Sequence, residues 1–208
     1  ASILANTRAS TWNTRMHSSQ KINKPNKPNR YGKKFVCFSP HASASAKYWH
    51  NEQGWQTVIN YIKNVLGYEV VMISKEFYES EWETNKLPGN KKFEGIIDAT
   101  GDFPIEERMA DLLNCEFYIG VGSGLSWLAW GTDTPVVIIS GFTDKHLEPI
   151  EGITRIINKE VCNSCWHSHE FDPGDWNWCP IHKNTDRQFE CSKEITSEDV
   201  IKQIKNFL

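Results

Sequence analysis

The sequence predicts a doubly wound α/β domain built on a parallel sheet, and three observations carry that reading. Short apolar runs without polar interruption recur along the chain, as in strands buried on both faces. Amphipathic stretches with a helical period stand between them. The stretch from Phe117 to Ser140 holds a whole unit: an apolar run, a turn with Gly120, Gly122 and Gly124, a short helical segment and a second apolar run. Strands alternating with helices imply right-handed crossovers within one sheet.

The 208 residues suffice for one large domain, or one ordinary domain with an appendage. No apolar run reaches the roughly 18 residues of a membrane span, and the N-terminal region lacks the apolar core of a secretory signal. A cytoplasmic protein is therefore expected. The first residue is Ala1 rather than Met, which suggests a processed chain or a fragment, and the fragment is preferred. The net charge of −3 conceals an asymmetry, because residues 1–34 carry eight Lys/Arg and no acid. A basic arm of this kind suits nucleic acid or a membrane surface, but its Lys24-Pro25-Asn26-Lys27-Pro28-Asn29 repeat reads as an extended linker. Residues 1–33 are thus taken as a basic N-terminal remnant and linker, with a helical remnant within residues 1–20.

The first strand is expected at Lys34–Ser39, followed by a small-residue loop that ends in Lys47-Tyr48-Trp49. A helix with apolar Trp55, Val58, Ile59, Ile62, Val65 and Leu66 comes next, stopped by Gly67. This strand–loop–helix unit can cradle a phosphate, with Lys47 supplying charge and Ser43 a hydroxyl. The bland alternative is a solvated lysine on a surface loop. Tyr68–Ile73 is the second strand, and Glu76 lies just past its carboxyl end, where ligands of open parallel sheets gather. There it can accept hydrogen bonds from a ribose. Glu94–Ala99 is the third strand and Pro104–Asn114 the next helix, with acids in its first turn. Asp102 is assigned as its cap, and Phe103 stands where a planar base can pack.

The glycine turn is the second candidate phosphate site. Gly120, Gly122 and Gly124 permit positive φ and close approach of a ligand, and Ser123 can cap the helix that begins near Leu125. Dinucleotide, P-loop and nucleophile-elbow spacings all fail here. Strands four and five come from the same stretch, Thr154–Ile157 is a sixth, and Ser197–Leu208 is a closing helix with Thr196 and Asp199 as a capping pair.

Between sheet and last helix the cysteines run C-x2-C-x13-C-x11-C: Cys162, Cys165, Cys179 and Cys191. Four thiolates at such spacing suit a tetrahedral iron or zinc site, with two disulfides as the alternative. His167, His169 and His182 stand nearby as possible substitutes for one thiolate. Residues 159–192 form this metal finger, inserted before the last helix into the α/β domain of residues 34–158 with 193–208. Residues 160–192 carry six acids against two bases, which argues against nucleic acid as a partner.

These segments resemble the C-terminal half of a GT-B glycosyltransferase of the heptosyltransferase type. Lys47-Tyr-Trp, Gly122-Ser-Gly-Leu-Ser-Trp-Leu-Ala-Trp, Val161-Cys-Asn-Ser-Cys-Trp and Trp178-Cys-Pro narrow the likeness to the bacterial autotransporter heptosyltransferases. Gly122 and Trp127 depart from the lipopolysaccharide enzymes, which usually show Asp and His there. The resemblance covers about residues 31–208. It implies a Rossmann-like fold, ADP-heptose as donor, serines of an autotransporter adhesin as acceptor and an iron-bearing finger on the four cysteines. It also implies that Lys47 and Ser43 bind the donor diphosphate, that Gly122, Ser123, Gly124 and Leu125 contact diphosphate and sugar, and that Glu76 and Phe103 flank ribose and adenine. The catalytic aspartate of that family belongs to an N-terminal acceptor domain, so none is assigned here. A homo-oligomer is possible on this reading. The rivals are a fragment of a lipopolysaccharide-type heptosyltransferase and a non-catalytic nucleotide-binding module stapled by metal.

Overall fold

The computed structural model describes residues 26–75, 93–149, 151–172 and 174–208. Glu76 and the helix expected within residues 1–20 lie outside the described residues. Six parallel strands form one sheet: β1 (Phe35–Ser39), β2 (Glu69–Met72), β3 (Ile97–Asp98), β4 (Tyr118–Val121), β5 (Val136–Ile139) and β6 (Ile153–Ile156), in the order β3-β2-β1-β4-β5-β6. Every pairing is parallel, as in Val36 opposite Val70 and Phe38 opposite Ile119.

Residue alternation along the strands assigns the two faces. Val36, Phe38, Val70, Met72, Ile119, Val137 and Ile139 point to one face, where α1 (Gly54–Asn64) and the closing helix α4 (Ser197–Phe207) cover them with Val58, Ile59, Ile62, Val200 and Ile204. Phe35, Cys37, Val71, Tyr118, Val136 and Ile138 point the other way, under Leu112 of α2 (Ile105–Asn114) and Ala129 of α3 (Gly124–Gly131). Both layers are apolar, and each large side chain buried in them contributes about 1.5–3 kcal/mol. The sheet is therefore doubly wound, as expected.

The bounds differ in places for physical reasons. β3 is two residues rather than six, because Gly95 adopts φ +73° and bends the chain just before it. Asp102 does not cap α2. Pro104 holds the N-cap position, and the Asp102 carboxylate is exposed and pairs with Lys75 at 3.7 Å. The Thr196–Asp199 capping box forms as expected, with Thr196 N–H donating to Asp199 at 3.1 Å and Asp199 N–H donating to Thr196 at 3.1 Å.

Residues 26–33, expected as an extended linker, lie along α2 instead. Lys27 pairs with Glu107, and Arg30 donates to Asp111 at 2.7 Å. Tyr31 donates to the same carboxylate at 3.2 Å and packs edge-on against Phe35. Glu107, in the first turn of α2, and Asp111, further along it, thus hold the basic segment.

Candidate functional site

The strand order reverses direction at β1 and β4, where successive crossovers pass to opposite sides, and the crevice beyond their carboxyl ends is where such sheets hold ligands. A cleft of about 670 Å³ opens there. Its floor includes Ser39 and Ser74, whose hydroxyls lie 3.0 Å apart, and its walls come from Ser43, Phe103, Arg108 and the turn Ser123–Leu125. A second, more polar chamber of about 250 Å³ adjoins it, lined by Ser43, Lys47, Gly122, Ser123, Gly124, Trp127, Thr143 and Glu148. Ser43, Ser123, Gly124 and Trp127 line both spaces. The two loops singled out in the sequence thus meet at one place, although 75 residues and more separate them.

Lys47 ends a 3-10 turn, Ser45–Lys47, in the loop after β1. The loop is fixed from behind. Trp49 is fully buried and donates its indole N–H to the Ile195 carbonyl at 2.9 Å. The His50 ring bonds the Ser45 carbonyl at 2.7 Å and stacks on Phe189 with centroids 4.2 Å apart. Lys47 is half-buried. Burial lowers its pKa, and the Glu148 carboxylate partly offsets that effect. A lysine held in this way is a poised, incompletely hydrated cation facing a polar chamber.

None of Gly120, Gly122 and Gly124 is among the glycines with positive φ, contrary to expectation. Close approach is the reason for two of them. A Cβ on Gly120 would lie 2.5 Å from the Ser39 carbonyl oxygen and from the Tyr118 hydroxyl, and one on Gly122 would lie 2.8 Å from Glu148 Oε1. Gly124 meets nothing within 4 Å and leaves its space to the cleft. Ser123 occupies the N-cap of α3 in extended conformation. Ser126 closes back on it, accepting the Ser123 N–H at 3.1 Å and donating to the Ser123 carbonyl at 2.7 Å. The first amides of α3, at Gly124 and Leu125, stand where a helix leaves N–H groups without intrahelical partners, a position that favours an anion.

At the far end of the cleft Phe103 is 42% exposed, and Arg108 lies over its ring at 4.6 Å. Arg108 also donates to the Gly101 carbonyl at 3.1 Å, which fixes the loop carrying Phe103. Arg30 approaches the same ring at 5.7 Å. Phe103 and exposed Ile105 therefore offer a flat apolar surface of the kind a nucleobase stacks on.

Glu148, only 2% exposed, is the buried acid of the smaller chamber. It accepts from Ser140 at 2.9 Å, from Thr143, and from Arg155 at 2.6 Å. Its lone pairs are largely committed to these donors. Glu148 and Arg108 were not singled out from the sequence as site residues, since a lone acid or arginine carries no spacing signal.

All six cysteines are free thiols, which sets aside the two-disulfide alternative in this structure. Cys165, Cys179 and Cys191 are buried and Cys162 is half-buried. Burial, the Glu190 carboxylate and the thiols of Cys165 and Cys179 together push Cys162 up to about 12, and burial with the other three thiols raises Cys191 as well. The four thiols thus lie close enough to oppose one another's ionisation. The tightest set of ligand atoms among the described residues is a different one. Cys162, His182 and Glu190 offer atoms all within 4.8 Å of one another. Glu190 is engaged elsewhere, however. It pairs with Arg187 at 2.7 and 2.8 Å, which holds its carboxyl down to about 2.

Residues 6–175 match the family model for glycosyltransferase family 9 (heptosyltransferase). The chain is 45% identical to the autotransporter heptosyltransferase BAHTCr of Citrobacter rodentium over 171 residues, which are 80% of this chain and 40% of that protein. It spans well under two thirds of the curated relatives it matches. Among solved structures it is similar to the dodecameric iron-containing heptosyltransferase TibC of enterotoxigenic Escherichia coli H10407, in complex with ADP-D-β-D-heptose. That match has a TM-score of 0.77 and 40% identity, and covers 87% of this chain and 47% of that one. The E. coli ADP-heptose lipopolysaccharide heptosyltransferase II shares the fold at 14% identity and a TM-score of 0.58, over 95% of this chain and 50% of that one. A sheet with its cleft at the point of reversal, a sequence match over most of its length and relatives of one kind agree. The chain belongs to glycosyltransferase family 9, the heptosyltransferases.

Proposed function

We propose that this chain is the donor-binding half of a protein O-heptosyltransferase, holding ADP-heptose for transfer to serines of an autotransporter adhesin. The observation that carries the reading is the convergence of Lys47 with the N-terminal turn of α3 on one polar chamber beside an apolar cleft. On this reading Phe103 stacks the adenine. Ser43, Lys47, Ser123, Gly124 and Leu125 hold the diphosphate, and the heptose lies toward Gly122 and Glu148. The likeness to TibC, solved with ADP-heptose, supports the choice of nucleotide and sugar.

Heptosyl transfer breaks the bond from the sugar C1 to the diphosphate oxygen and forms a bond from C1 to the serine Oγ. The serine proton must go to a base, and negative charge collects on the departing ADP. Lys47 and the α3 amides supply the positive side for that charge. Glu148 is committed to Arg155, Ser140 and Thr143, and Asp102 is exposed and pairs with Lys75, so neither is poised as the base. The base is assigned to an N-terminal acceptor domain in the complete enzyme.

Cys162, Cys165, Cys179 and Cys191 would hold one iron or zinc ion, whose contribution is a structural cross-link of the finger. The iron-containing TibC favours iron. TibC is dodecameric, and a homo-oligomer is proposed here too. No helix among the described residues is long and apolar enough to cross a membrane. A cytoplasmic location is part of the proposal.

Calorimetric titration with ADP tests the donor reading. Lys47→Ala should weaken ADP about ten- to a hundredfold, the scale of charge-assisted bonds to phosphate, with a nearly unchanged melting temperature. Equal affinities for wild type and variant would return Lys47 to an ordinary surface role.

A further inference from the structure

The Lys47 loop does not rest on the sheet alone. Its rear wall is the cysteine-rich segment. Ser45 donates its backbone N–H to the Trp176 carbonyl at 3.3 Å, and its hydroxyl lies 2.8 Å from that carbonyl and 2.9 Å from Asn177 Oδ1. Ala46 is buried in the same cluster as Cys165, Cys179, Trp178 and Phe189. Tyr48 meets Trp176 edge to face at 5.9 Å, and His50 donates its N–H to Ser192 at 3.3 Å. Each residue from Ser45 to Tyr48 except Lys47 itself thus touches the finger, and Lys47 is the one directed at the polar chamber.

We propose that the finger sets the phosphate loop, and that Ser45, through Trp176 and Asn177, is a positioning residue that fixes Lys47 against the donor's diphosphate. The finger then serves donor binding at a distance: whatever loosens residues 159–192 releases Lys47 and weakens the diphosphate contact, while the nucleoside end of the cleft is untouched. This inference rests on the donor reading above, because it needs a diphosphate at Lys47.

The geometry separates the two ends of the ligand, and so can the experiment. ADP and adenosine are titrated in parallel into the wild-type chain, Ser45→Ala and Asn177→Ala. Ser45→Ala should weaken ADP about three- to tenfold, as expected for lost hydrogen bonds, and leave adenosine unchanged. Asn177→Ala removes an acceptor from the finger side at an exposed position, so it should give a smaller loss for ADP alone. The double variant should be no weaker than Ser45→Ala, since both changes remove the same bond. Amide hydrogen exchange should quicken across residues 43–48 in Ser45→Ala. Equal losses for ADP and adenosine would overturn the proposal in favour of general destabilisation, and so would unchanged ADP affinity in both variants. Wild-type chain that binds adenosine but not ADP would overturn the donor reading and this inference together. Wild-type chain that binds ADP normally, with Ser45→Ala equal to it, would overturn only this inference.

Discussion

At the scale of single residues, position in the fold changes what a side chain does. His50 is half-buried between the loop and Phe189, and desolvation there depresses its pKa from 6.5 to about 4, opposed by its bond to the Ser45 carbonyl and assisted by Lys193. The unfolded chain therefore binds the proton more readily than the folded one. This contribution to stability is complete above pH 6.5 and is lost as the pH falls from there toward 4, by on the order of 3 kcal/mol. Urea unfolding at pH 7.5 and pH 4.5 should show a shallower loss for His50→Gln than for wild type, and equal losses would contradict the assignment. Lys47 was legible in the sequence because a single lysine closes a small-residue loop after a strand. Glu148 was not. Its role depends on Arg155, Ser140 and Thr143 gathering from different segments, which no local pattern announces.

Among the elements, the glycine turn lines the cleft for a different reason from the one its sequence suggests. The sequence pointed to Gly120, Gly122 and Gly124 as residues freed for positive φ, whereas the structure uses the first two for missing side chains. Gly120→Ala must push β4 away from the Ser39 carbonyl of β1 or displace the Tyr118 hydroxyl, at a cost of about 1–3 kcal/mol. Gly124→Ala meets open space, so its thermal unfolding should match wild type while its added methyl enters the cleft and weakens ADP. A melting-temperature loss for Gly124→Ala as large as for Gly120→Ala would contradict this division. Cysteine spacing drew attention to residues 159–192, but the attachment of that segment to the Lys47 loop was not legible, because Ser45 and Trp176 are 131 residues apart. Metal analysis of protein prepared without chelator should find about one iron or zinc per chain, and Cys179→Ser should lose it together with the order of residues 159–192. Metal-free wild-type protein with a folded finger would sink the four-thiolate site.

For the whole molecule, the parallel sheet and its two helical layers were readable because buried parallel strands leave uninterrupted apolar runs and each helix shows one apolar stripe. The docking of residues 26–33 on α2 was hidden by a composition that suits a linker equally well. Heptosylation by these 208 residues alone, given ADP-heptose and a serine-rich autotransporter passenger, should be negligible by mass spectrometry. The reason is that, among the described residues, the cleft carboxylates Glu148 and Asp102 are committed or exposed, and losing general-base catalysis alone typically costs about 10²–10⁴-fold. Efficient transfer would mean that a base lies within this chain. The central claim, that the two loops at the reversal of strand order together hold a nucleoside diphosphate, is tested most directly by a crystal structure of the chain with ADP. The diphosphate is predicted at Lys47 and the first amides of α3, with adenine against Phe103, and nucleotide bound elsewhere with that cleft empty would contradict the account.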